Sequence, residues 1–134
     1  MDPSSPAPDA GGLCRRVLVV DDNLDSAETM AEMLKLWGHD VRTAHDGPGA
    51  LEAARAHQPD AVLLDLGLPV MDGYETARRL RQEGLAGKLL IAVTGFGGAE
   101  DRRRAAEAGF DTHLTKPVSP EALRALLLRG RGKA

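Results

Sequence analysis

The chain has 134 residues, 43% of them apolar and 28% charged, with 17 basic and 20 acidic side chains for a net charge of −3. That length suits one domain, and the absence of a basic excess, together with only four residues among Phe, Trp and Tyr, argues against a nucleic-acid surface built on charge and stacking. The longest apolar runs fall far short of a membrane span, and the start Met1-Asp-Pro-Ser-Ser-Pro6 has neither the basic nor the apolar part of a signal peptide.

Residues 1–14 read as a disordered tail or linker, because Pro, Ala, Ser, Gly and Asp dominate there and cannot bury enough surface to offset ordering entropy. The single Cys, Cys14, has no neighbouring His or helix start to make it a thiolate and reads as a bystander. The folded domain is expected over residues 15–130, in a reduced cytoplasmic setting, as a monomer or weak dimer, without membrane insertion.

Val17 to Val20 is a β-branched run that ends in Asp21-Asp22. Leu24 to Trp37 follows, with Leu24, Ala27, Met30, Ala31 and Leu34 at helical spacing and Gly38 as the stop. Met30, Met33 and Trp37 read as core or core margin. Asp40 to Ala44 is a short strand, and Pro48 to His57 an Ala-rich helix closed by Pro59. Ala61 to Leu64 is a second continuous apolar run, ending at Asp65, and Gly73 to Arg81 is helical through Tyr74, Ala77 and Leu80. A third apolar run, Leu89 to Val93, ends at Thr94. Ala99 to Ala108 is a helix stopped by Gly109, Thr112 to Thr115 is a weak strand before Lys116-Pro117, and Ser119-Pro120 starts the last helix. The Arg102-Arg-Arg104 run reads as a solvated helix face, since Glu100, Asp101 and Glu107 dilute its field.

The order is β-α repeated five times. Continuous apolar strands between amphipathic helices predict a parallel sheet covered on both faces, a flavodoxin-like (βα)5 three-layer α/β sandwich with strand order 2-1-3-4-5. In such sheets the site lies beyond the carboxyl ends of the strands, where the order reverses. That rim collects Asp21 and Asp22 after the first strand, Asp65 after the third, Thr94 after the fourth and Lys116 after the fifth.

Asp21-Asp22 alone would also suit a helix start, where carboxylates are favoured anyway. Joined to Asp65 the pair creates an electrostatic problem, since two carboxylates about 4 Å apart repel by about 4 kcal/mol at an effective dielectric near 20. Either protons or a divalent cation must relieve it. Oxygen donors without His or Cys select a hard ion, and so few carboxylates suit Mg²⁺. With a hydroxyl and an ammonium beside them, the set fits phosphoryl transfer to an aspartate.

At this point Val17-Leu-Val-Val-Asp-Asp-Asn23, Leu63-Leu-Asp-Leu-Gly-Leu-Pro-Val-Met-Asp-Gly73, Val93-Thr-Gly95 and Thr115-Lys-Pro117 resemble the receiver domain of two-component response regulators, over about Arg15 to Arg129. The resemblance implies that Asp65 is the phosphoacceptor and that Asp22, Asp65 and the Gly67 backbone carbonyl bind Mg²⁺ directly, with Asp21 acting through water. It implies that Thr94 and Lys116 hold the phosphoryl group and that the Lys116–Pro117 bond is cis. The donor would be a sensor histidine kinase or a histidine phosphotransfer domain. The chain would not be a turnover enzyme: it would only phosphorylate itself on Asp65 and slowly lose the group. No output domain is expected in this chain, which suits a stand-alone regulator or, by the wording of its motifs, a receiver from a hybrid sensor kinase.

Two departures from the family pattern stand out. His113 occupies the place where the family usually has the Tyr or Phe that turns inward with the Thr, so it is read as a replacement switch residue with altered coupling. Gly67 and Gly95 leave the site open to a donor and to water, while Phe96 could shield part of its mouth. Two rivals fit less well. A phosphatase of the haloacid dehalogenase type needs a second Asp where Gly67 stands, together with a cap domain. A flavin binder needs a hydroxyl-rich phosphate loop where Asp21-Asp22 would repel the phosphate.

Overall fold

The computed structural model describes residues 15–67, 71–85, 88–95 and 99–129. The expectations for tail 1–14, Cys14, the segment 68–70, Phe96, the side chains of Glu100 and Asp101, and residue 130 lie outside the described residues.

Ten elements alternate along the chain: β1 (Arg16–Val20), α1 (Leu24–Leu36), β2 (Asp40–Ala44), α2 (Gly47–His57), β3 (Ala61–Asp65), α3 (Gly73–Gln82), β4 (Leu89–Thr94), α4 (Ala99–Ala108), β5 (Thr112–Thr115) and α5 (Pro120–Arg129). The five strands form one parallel sheet in the order β2-β1-β3-β4-β5. Among the described residues no helix is long and apolar enough to cross a membrane.

The continuous apolar runs follow from burial on both sheet faces. Side chains of a strand alternate in direction, so Leu18, Val20, Val62, Leu64, Leu90 and Ala92 enter one core with Ala77 and Leu80 of α3 and Ala105 and Ala108 of α4. Val17, Val19, Leu63, Ile91 and Val93 enter a second core with Ala27, Ala31 and Leu34 of α1 and Leu123 and Leu127 of α5. Met30, Met33 and Trp37 pack against that second core.

Helix starts obey local capping chemistry. Asn23, Asp46 and Asp72 each accept a backbone N–H three residues on, from Ser26 (3.0 Å), Gly49 (2.7 Å) and Glu75 (2.9 Å). Ser119 Oγ accepts from Ala122 N–H at 3.2 Å and so begins α5 as expected.

Some boundaries differ from the sequence pattern. Helix α1 stops at Leu36, with Trp37 as its C-cap. Helix α2 begins at Gly47, one residue before Pro48, because Asp46 caps it, and ends where Gln58 turns left-handed at φ 51° and returns its N–H to Ala54. Leu24, counted with the buried stripe by spacing, is 61% exposed. It opens α1 at the rim, most of a turn before Ala27 reaches the core.

The arginine run lies on the exposed side of α4. Arg104 nevertheless covers the Tyr74 ring at 4.0 Å from its centroid, and Arg103 pairs with Glu107 at 3.8 Å. The helix face is solvated, and one of its cations is held by packing.

Arg81 of α3 joins three segments. Its guanidinium donates to the carbonyls of Leu85, Lys88 and Gly109 and pairs with Asp111 at 3.0 Å. Asp111 in turn accepts the Leu90 N–H at 2.8 Å. Hydrogen bonds to a charged, half-buried group are worth more than neutral ones, so Arg81→Ala is expected to lower unfolding free energy by about 2–4 kcal/mol. A urea titration checks this, and an unchanged midpoint would refute it.

Candidate functional site

The site forms because β1 and β3 are neighbours and both end in carboxylates. Asp21 is held at three points. Its N–H donates to Ala44 O (3.0 Å), its Oδ1 accepts from Asn23 N–H (2.9 Å), and its carbonyl accepts from His45 Nδ1 (3.1 Å). A carbonyl only accepts, so the His45 ring carries its proton on Nδ1. His45 was not among the residues singled out from the sequence. The available signal was its position directly after β2, on the same rim.

Asp65 closes β3 and is only 8% exposed. Its Oδ1 accepts from Gly67 N–H at 2.9 Å and its Oδ2 from the Lys116 ammonium at 3.0 Å. Lys116 is placed by its own N–H, which donates to Thr94 O at 2.8 Å, and the Lys116–Pro117 bond is cis. Thr94 is buried at the end of β4, next to this link. One carboxylate oxygen from each of Asp21, Asp22 and Asp65 lies within 4.8 Å of the others.

The structure therefore gathers Asp21, Asp22, Asp65 and Lys116 within a few ångströms of one another, and places Thr94 and Gly67 at the adjoining strand end and turn. His113 pairs with Ala92 in the β4–β5 ladder, two residues before the Thr94–Thr115 pair. By strand alternation its half-buried side chain shares the sheet face of Thr94. A Cβ on Gly95 would meet nothing within 4 Å, and one on Gly67 would make only an ordinary contact with Asp65 Oδ1. Among the described residues the rim is open at Gly95.

Electrostatics follow from this crowding. At 4.8 Å two carboxylates repel by about 3 kcal/mol at an effective dielectric near 20. Burial pushes the Asp21 carboxyl above its ordinary range, with Asp65 and Asp22 adding to the effect, while the Asn23 N–H and Lys116 pull against it. For Lys116 burial disfavours the charged form, but the hydrogen bond and charge of Asp65, with Asp21 and Asp22, outweigh it and raise the ammonium above its ordinary value. The stabilisation from Lys116 is therefore complete below about 10.5 and is lost as pH climbs through its raised value. The cost of ionising Asp21 has the opposite pattern. It sets in above the unfolded value of 3.8 and is complete once pH exceeds the raised folded value.

The donor set fits a hard divalent cation: three carboxylates in one cluster and no thiolate or imidazole among them. Binding of such an ion competes with protonation of Asp21, whose carboxyl burial has raised. Mg²⁺ affinity is thus expected to fall as pH drops through the mildly acidic range, beginning at a higher pH than an ordinary Asp would give. The rise in Tm on adding Mg²⁺, measured across that range, checks this. An effect flat with pH would refute it.

The response regulator receiver domain model matches residues 17–128. Sensor histidine kinase RcsC of Salmonella typhi is 39% identical over 111 residues, which cover 83% of this chain and 12% of that protein. Probable transcriptional regulatory protein TcrX of Mycobacterium tuberculosis is 42% identical over 117 residues, 84% of this chain and 50% of that one. The chain thus spans about an eighth of one relative and half of the other. Among solved structures, the Vibrio cholerae chemotaxis protein CheY4 superposes with a TM-score of 0.82 at 30% identity, covering 87% of this chain and 98% of that one. The receiver domain of sensor histidine kinase PA1611 from Pseudomonas aeruginosa, with a magnesium ion coordinated in its active-site cleft, gives 0.80 at 32% identity, covering 90% and 100%. With the β2-β1-β3-β4-β5 sheet and an acidic rim in place, these matches establish that the chain belongs to the response regulator receiver domain family of two-component systems.

Proposed function

We propose that the chain accepts a phosphoryl group on Asp65 and that the modified state changes a surface read by a partner protein. The observation that carries this reading is the Lys116 ammonium at 3.0 Å from Asp65 Oδ2, with the Asp21 and Asp22 carboxylates within 4.8 Å. A donor phosphohistidine, on a sensor histidine kinase or a histidine phosphotransfer domain, presents phosphorus to the free face of the Asp65 carboxylate. A carboxylate oxygen forms the new O–P bond, the N–P bond breaks, and the electron pair returns to the imidazole.

Asp21, Asp22, Asp65 and the Gly67 carbonyl would hold Mg²⁺, as the donor set suits. When bound, the ion offsets negative charge on the transferring oxygens. Lys116 is poised to follow the new phosphoryl oxygens, and the Thr94 hydroxyl to donate to one of them. Gly67 brings an N–H to Asp65 but no side chain, so nothing at that position serves as the acid/base of a phosphomonoesterase. The product is then a held acyl phosphate, lost slowly to water, and the chain acts as a switch. Residues 15–130 form the receiver unit in this reading, either alone or within a longer kinase or regulator.

The test is incubation of the chain with Mg²⁺ and acetyl phosphate, followed by intact mass. Gain of one phosphoryl group, dependent on Mg²⁺, is expected, and no gain overturns the proposal. His113, on the face of Thr94, takes the place of the switch ring. His113→Tyr is therefore expected to enlarge the spectral shifts that beryllofluoride induces along α4 and β5. Unchanged shifts and partner binding would remove His113 from the switch.

A further inference from the structure

We infer that the chain carries, beside the Asp65 site, a groove that binds a small amphipathic organic cation, of which an alkyl ammonium is the simplest case. Between α1 and the turn from β5 into α5 lies a cavity of about 530 Å³, within the size range of small-ligand sites. Val19, Leu63 and Val93 of the sheet line it, with Met30 and Met33 of α1 across from them. Methionine side chains are unbranched and flexible, so such walls adapt to an apolar body of variable shape. The polar groups are concentrated in a few side chains. Asp21, Asp25 and Asp65 line the cavity against the ammonium of Lys116, which Asp65 already holds at 3.0 Å. An ammonium head is attracted there and finds further acceptors in the Ser26 and Thr29 hydroxyls, whereas a carboxylate head is repelled. Because Asp21 also belongs to the carboxylate cluster, the bound cation competes with Mg²⁺. That competition would oppose phosphoryl uptake, a consequence that rests on the function proposed above, whereas the binding itself does not.

The experiment uses the whole chain labelled with ¹³C at its methionine methyls and titrated with octylamine, octanol or octanoate. Met30 and Met33 pack on the groove side of the sheet and Met71 against the opposite core, so Met71 is an internal control. Octylamine is expected to shift the Met30 and Met33 signals saturably, to leave Met71 in place, and to bind about tenfold more tightly than octanol or octanoate. Added Mg²⁺ is expected to weaken it. Asp25→Asn is expected to weaken it several-fold without changing labelling by acetyl phosphate. Equal binding of octanol or octanoate, equal movement of Met71, or silence at Met30 and Met33 overturns the inference. A chain that binds octylamine but takes no phosphoryl group would overturn only the proposed function.

Discussion

Asp65→Asn is expected to end phosphoryl uptake from acetyl phosphate while leaving the chain folded. The amide keeps an oxygen that can accept the Gly67 N–H, now at 2.9 Å, and so preserves the turn after β3. What it loses is the anionic nucleophile, and a neutral amide oxygen does not attack phosphorus to expel acetate from acetyl phosphate at a useful rate. It also removes one member of a cluster whose carboxylates lie within 4.8 Å of each other, which lowers their mutual repulsion. Mg²⁺ affinity should therefore fall along with the chemistry, and the urea midpoint without metal should change little. Intact mass and a Mg²⁺ titration on the same sample check both parts. A variant that still gains the group would place the acceptor elsewhere.

Gly73→Ala tests how the site is held. Gly73 opens α3, and its N–H donates to Leu66 O at 3.1 Å. A Cβ there would stand 2.6 Å from Leu66 Cα and 2.8 Å from the carbonyl oxygen of Asp65. Both are backbone atoms, so no side-chain rotation relieves the clash. The end of β3 has to move relative to α3, and Asp65 moves with it. Overpacking of this kind costs about 1–3 kcal/mol. A displacement near 1 Å at a reacting group can slow chemistry by about 10²-fold. The variant should show both effects, by urea titration and by the rate of mass gain. Gly95→Ala, whose Cβ would meet open space, serves as the control and should be near neutral in stability. Wild-type stability and labelling rate in Gly73→Ala would mean that Asp65 is positioned independently of α3.

Most of the architecture was legible in local pattern. Val17–Val20, Ala61–Leu64 and Leu89–Val93 are apolar at every position because parallel strands between two helical layers expose neither face. Helix starts were readable because capping is decided within three residues, as at Ser119. The positions of Asp21, Asp22, Asp65, Thr94 and Lys116 followed from a topological rule: strand ends share one rim once strand order is known.

What the pattern could not supply depends on which distant groups come to meet. His45 reaches the Asp21 carbonyl only because β2 pairs with β1 in a register that sets Val20 beside Ala44. Arg81, one of several arginines along the chain, becomes a joint because α3 ends beside the turns before β4 and β5. Arg104 finds an aromatic face, and Leu24 stays exposed, although spacing treats each like its neighbours. The groove under Met30 and Met33 exists only once α1 and the β5–α5 turn stand side by side on one face of the sheet. Periodicity and caps are set by contacts a few residues apart and so are written in the sequence itself. Side-chain meetings across tens of residues depend on register, helix placement and steric fit, which only the folded chain decides.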